Sequence, residues 1–124
     1  MSTPVVLTTS HRALDGHHDE LAPAAGAYAD FVRRREPGLA ALTVALDAEE
    51  QQVTFSHVFD DADAADAHLA TAADHIQRSF AMTRTTRISV LGTPGPRIAG
   101  LLEVNREAGV PVDSVPGAGG FVRR

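Results

Sequence analysis

The chain has 124 residues, a length for one domain, and pairs 44% hydrophobic content with only 5% aromatic residues, so its core must be built from aliphatic side chains and a few phenylalanines. Cysteine is absent, which excludes a disulfide framework, thiolate metal sites and cysteine nucleophiles. The formal net charge is −5, and the arginines cluster only at Arg33-Arg34-Arg35 and Arg123-Arg124, without the basic stripe and stacking aromatics of a nucleic-acid binder.

The opening stretch MSTPVVLTTS has no basic lead and no long apolar run, so neither a leader nor a membrane span is expected, and the expected compartment is the cytoplasm. Val5-Val6-Leu7-Thr8-Thr9 is short and β-branched and predicts a first strand. Leu21, Ala25, Tyr28 and Val32 follow at the spacing of one helical face, with Asp19 as the expected N-cap and Pro37-Gly38 as the stop. Leu42, Val44 and Leu46 alternate, as do Val53, Phe55, His57 and Phe59, and the two runs are close enough to form a hairpin.

Asp60 or Asp61 then caps a second helix whose buried stripe is Ala65, Leu69, Ala72, Ile76 and Phe80. Arg84 to Leu91 forms a fourth strand, closed by Gly92-Thr93-Pro94-Gly95-Pro96. The order strand, helix, strand, strand, helix, strand predicts an α+β, ferredoxin-like βαββαβ fold with an antiparallel sheet. Residues 1–92 form this core, and 93–124 add a C-terminal helix and an extended arm to the same domain. That arm ends in the glycine-rich Gly117-Ala118-Gly119-Gly120 and the apolar Phe121-Val122, and is expected to dock, with a second subunit as one candidate. Thr8-Thr9-Ser10-His11 and Thr54-Phe55-Ser56-His57 echo one another.

Arg35-Glu36-Pro37-Gly38-Leu39, an alternating strand, and Phe59-Asp60-Asp61-x-x-Ala64-x-x-x-His68 together resemble the antibiotic biosynthesis monooxygenase family of dimeric α+β barrels, over about residues 1–92. The resemblance implies a ferredoxin-like subunit, a barrel closed across a homodimer, and oxidation of electron-rich quinols or phenols by O₂ without a metal or organic cofactor. Other members degrade haem. The chain departs from the family pattern in three ways. His57 and Phe59 stand where the third strand commonly carries a glutamate and an aromatic; there is no tryptophan for the Asn-Trp-His constellation of the haem-degrading branch; and the tail beyond Thr93 exceeds the usual short domain.

His57 shares its strand face with three apolar residues, so it points into the core or a pocket, where a neutral imidazole with an ordinary pKa near 6.5 suits general-base work. The plain alternative is a buried histidine hydrogen-bonded to backbone or to a side chain. His68 occupies the family's helix position and is the second catalytic candidate. His75, about 10 Å further along one helix, is too far to share a metal with it and reads as a solvated flank. Tyr28, Phe59, Arg87 and Asn105 are the expected substrate contacts: the tyrosine hydroxyl to orient a substrate oxygen, Arg87 and Asn105 to hold a carbonyl or phenolate. His17-His18-Asp19 reads as a surface loop, and His11 should lie at the opposite strand end from His57, so no metal site is expected. Neither a phosphate loop, a Ser-His-Asp series nor a flavin fingerprint is present. The expected function is a cofactor-independent monooxygenase acting on an aromatic phenol or quinol. The alternative is a non-catalytic dimeric α+β barrel that binds a small apolar ligand or serves as an assembly module.

Overall fold

A computed structural model describes residues 3–124; Met1 and Ser2, part of the opening stretch read for a leader, lie outside the described residues. The elements are β1 (Val5–Ala13), α1 (Leu21–Arg35), β2 (Leu39–Asp47), β3 (Gln52–Phe59), α2 (Ala62–Thr71), α3 (Ala73–Ser79), β4 (Thr83–Leu91), α4 (Pro96–Glu107) and β5 (Val112–Val115). The sheet has the order β2-β3-β1-β4-β5. β1 pairs antiparallel with both β3 and β4, and β2 with β3, which is the ferredoxin-like arrangement. Among the described residues no helix is long and apolar enough to cross a membrane.

The arm takes a course the sequence did not suggest. Val112 to Val115 pair in parallel with Ile88 to Leu91 of the same chain, so this part of the arm extends its own sheet. Beyond it the chain crosses the strand ends: Gly117 N–H donates to Thr93 Oγ1 at 3.1 Å, and the Arg124 guanidinium donates to the Pro37 carbonyl and to Asp60.

Local chemistry accounts for the helix ends. No Asp19 cap forms; a 3-10 turn over His18–Glu20 leads into α1, and Glu20 makes no side-chain cap bond. Pro37 bars helical geometry at the residue before it, so Glu36 turns to φ −125°, ψ 82° and α1 stops there. Asp61 caps α2 by accepting from Ala64 N–H at 2.8 Å. The expected single helix through Phe80 is interrupted at Ala72 (φ −94°, ψ 10°), which separates α2 from α3. As a result Phe80 is exposed and lies outside the buried stripe.

One sheet face carries the core. Val5, Leu7, Phe59, Ile88 and Val90 pack with Ala65 of α2 and Ile98 and Leu102 of α4, while Ala13, Val53, Leu21 and Ala25 form a second cluster at the other end. The opposite face is graded by row. Ala41, Val58, Val6, Leu91 and Val115 are register partners across all five strands and make an apolar row. The next row, Thr43, Ser56, Thr8, Ser89 and Asp113, is polar. Here the two echoing segments lie side by side, with Thr8 bonded to Ser56 at 3.0 Å and Ser10 to Thr54 at 2.8 Å.

Candidate functional site

Between the two apolar clusters, the helix-covered face of the sheet carries a belt of rings and titratable groups. His57 on β3 pairs with Leu7, and its Nδ1 lies 3.0 Å from the Leu7 carbonyl. Its Nε2 receives the Tyr28 hydroxyl of α1 at 2.6 Å. Tyr28 Oη in turn lies 3.2 Å from His68 Nε2 on α2. His68 Nδ1 meets both Glu36 carboxylate oxygens, at 2.7 and 2.9 Å. Four elements and one helix end thus supply a continuous chain, Leu7 C=O, His57, Tyr28, His68 and Glu36.

The sequence builds this convergence through a close approach at Gly38. A Cβ there would lie 2.7 Å from the Cβ of Ala64, so only glycine lets the first turn of α2 rest on the loop that follows α1. His68 stands one helical turn beyond Ala64 on the same face. Glu36, turned out of the helix by Pro37, is therefore directly in its path. The carboxyl group is only 8% exposed and His68 only 3%, a hydrogen-bonded pair held inside the protein.

Aromatic packing fixes the imidazoles. Phe59 stacks on His57 at 5.7 Å between centroids and 5° between planes, and lies 5.3 Å from His68. Phe55 meets Tyr28 edge-on. His75, placed by the break at Ala72, packs on Phe31 at 4.5 Å and on Tyr28 at 5.9 Å. Burial, then the neighbouring His68, lowers the His57 pKa to about 3. The general-base expectation rested on an ordinary value near 6.5, so in the free protein His57 is a neutral acceptor and a weak base. Burial pushes the Tyr28 phenol well up, with the Glu36 charge adding to it. His11, on the same face, has its ring nitrogens on Thr9 and Thr85 hydroxyls, and burial lowers it to about 4.

Three of the six expected site residues, His57, His68 and Tyr28, fall in this chain, and the other three do not. Phe59 is fully buried at the centre of the apolar cluster, so it orients the imidazoles from behind and offers no surface to a substrate. Arg87 lies on the opposite sheet face, exposed and paired with Asp113, because Ile88 and Val90 take the inward positions of β4. Asn105 donates to the Leu101 carbonyl at 2.8 Å, one turn back on α4, and shares no bond with the belt. Glu36 was not anticipated: a charged residue beside proline at a helix end reads as surface. The signal that could have found it is its place in Glu36-Pro37-Gly38, where pre-proline geometry and a close-approach glycine combine.

Two open depressions, of about 230 and 270 Å³, lie elsewhere. The first is lined by Thr3, Asp61, Ala62, Asp63 and Thr93, the second by Arg12, Ala13, Leu14, Asp15 and Arg84. Neither touches the histidines. The belt meets solvent at Tyr28 and His75, both half-buried.

Comparison with known proteins places this geometry. MupZ from Pseudomonas fluorescens superposes with a TM-score of 0.71 at 15% identity over 99% of this chain and 91% of its own, the tail included. SnoaB, a cofactor-independent oxygenase from Streptomyces nogalater, gives 0.63 at 18% identity over 76% of this chain and 96% of its own. Protein SO0527 from Shewanella oneidensis gives 0.57 at 25% identity, covering 73% of this chain and 89% of its own. No curated protein matches the chain. The sequence profile described as antibiotic biosynthesis monooxygenase matches residues 4–80, which hold every member of the hydrogen-bonded belt, and the chain belongs to that family.

Proposed function

We propose that the protein is a monooxygenase that oxidises an aromatic phenol or quinol with O₂ and needs no bound cofactor. The observation that carries this reading is the buried Glu36–His68–Tyr28–His57 chain, a set of proton donors and acceptors in a water-poor core. The stoichiometry closes on the two reactants: a phenol with an open para carbon and O₂ become a quinone and water. All electrons come from the substrate, once its hydroxyl has ionised and the anion passes an electron to O₂. Protein groups then have two tasks, taking the phenolic proton at His57 or His68 and holding the resulting anion. The family profile and the likeness to SnoaB, a cofactor-independent oxygenase, support the reaction class.

The test is O₂ uptake and quinone absorbance with a panel of hydroquinones and polycyclic phenols. His68→Ala is expected to slow the reaction about 10²-fold or more, the typical value of a lost acid–base group. Uptake no faster than the protein-free background with every member of the panel would rule the reading out. A second reading, favoured by histidines that are packed away from both depressions, is a non-catalytic member that binds a small apolar ligand or serves as an assembly module.

The same proposal includes a homodimer formed through the helix-free face of the sheet, and treats residues 93–124 as part of one domain with the core, since β5 completes that sheet. An apolar row ending in Leu91 and Val115, each more than half exposed, is the kind of surface a second copy would cover. Leu91→Arg is expected to turn a dimer into a monomer in light scattering. A monomeric wild type, or a dimer that survives the substitution, would contradict it.

A further inference from the structure

The two histidines flanking Tyr28 differ in what stands behind them, and the difference fixes where every proton of the chain sits. The Leu7 carbonyl can only accept, so His57 Nδ1 carries a hydrogen and Nε2 presents a lone pair. Tyr28 donates its one hydrogen to that lone pair, in the shorter of its two contacts, 2.6 Å against 3.2 Å. Its oxygen is then an acceptor toward His68, whose Nε2 must be the donor. His68 Nδ1 faces both oxygens of a buried carboxylate, which accept from a single N–H. These contacts are all satisfied by a His68 that carries a hydrogen on both nitrogens opposite an ionised Glu36.

We propose that Glu36 is a positioning residue that fixes His68 as the donor holding the substrate oxyanion and leaves His57, across Tyr28, as the proton acceptor. The assignment rests on the phenol-oxidation reading and deepens it by separating the two roles. A substrate hydroxyl brought to Tyr28 Oη loses its proton to His57 Nε2, directly or through the tyrosine, and the O⁻ left behind accepts from His68 Nε2–H. The four charges then cancel: Glu36 and the substrate oxygen negative, His68 and His57 positive. In the free protein burial and the His68 charge keep His57 neutral, so it becomes a competent acceptor only when a negative charge develops beside it. Proton transfer is in this way coupled to a bound, ionising substrate, and the two imidazoles are pushed to opposite roles by their surroundings.

The experiment is long-range ¹H–¹⁵N spectroscopy of the imidazole rings at pH 7 in the wild type, Glu36→Gln and Glu36→Asp, alongside kinetics on the phenol panel. In the wild type His68 is expected to be protonated on both nitrogens and His57 on Nδ1 alone. In Glu36→Gln the His68 ring becomes neutral, and kcat falls about 10²-fold with KM within about 3-fold, as for a group acting through another. Glu36→Asp restores part of both signals. A neutral His68 in the wild type, or an unchanged ring in Glu36→Gln, overturns the assignment. Should Glu36→Gln not fold, the wild-type spectrum decides alone. Should no phenol be oxidised, the reaction class fails, while the ring states still decide whether Glu36 sets the charge on His68.

Discussion

Between pH 7 and pH 4.5 the folded protein is expected to lose roughly 3–5 kcal/mol of stability, well before most carboxylates are protonated. The cause is His57 and His11, whose rings the fold desolvates. Burial, with the His68 charge as a second cause, lowers His57 to about 3; burial alone lowers His11 to about 4. In the unfolded chain both return to about 6.5, so below that pH the unfolded state binds protons that the folded state refuses. Stability is therefore fully present above pH 6.5 and declines as the pH falls toward 4 and then 3. Urea midpoints at pH 7, 5.5 and 4.5 measure it. His57→Gln with His11→Gln should lower stability at pH 7 yet flatten the slope. A wild-type midpoint that does not move over this range would contradict the account.

Phe59→Ala is expected to cost about 3–5 kcal/mol, among the largest effects of any single substitution in the chain. Phe59 is fully buried, and it touches both the apolar cluster and the two imidazoles, so truncation opens a cavity and removes the plate against which His57 lies. Phe59→Leu should recover most of the stability, because the volume is nearly restored. It should not recover the fixed ring of His57, which has lost its stacking partner. Thermal unfolding reads the first effect, and line broadening of the His57 ring signals reads the second. Equal stability losses for Ala and Leu would show that the site is held by something other than this packing.

How far the sequence could be read depended on whether a pattern was local. Alternation placed His57 inward with Val53 and Phe59, and 3.6-residue spacing placed Tyr28 on the buried side of α1, because both follow from backbone geometry alone. Arg87, expected as a substrate contact, lies instead with the outward residues of β4, where it pairs with Asp113. The break at Ala72 carried no local mark: Leu69-Ala70-Thr71-Ala72-Ala73 contains no glycine or proline, and tertiary packing decided it. β5 is short and bracketed by Pro111 and Pro116, so it reads as an arm; its strand character comes from the β4 edge it pairs with. Glu36 was hidden for a related reason. Its burial is produced by α2, a segment that begins 26 residues later.

The belt between the two apolar clusters also has a meaning for quality control. Each cluster can collapse on its own, since aliphatic contacts need no exact partner. The belt cannot, because any missing member leaves a buried donor, acceptor or charge without a partner, at a cost of about 1–3 kcal/mol for each neutral group. A molecule trapped with the clusters formed and the belt unformed would thus be unstable and exposed to proteolysis. Completion of the fold and assembly of the belt are the same event, so a population of this protein that passes cellular surveillance consists of molecules whose hydrogen-bonded chain is already in place.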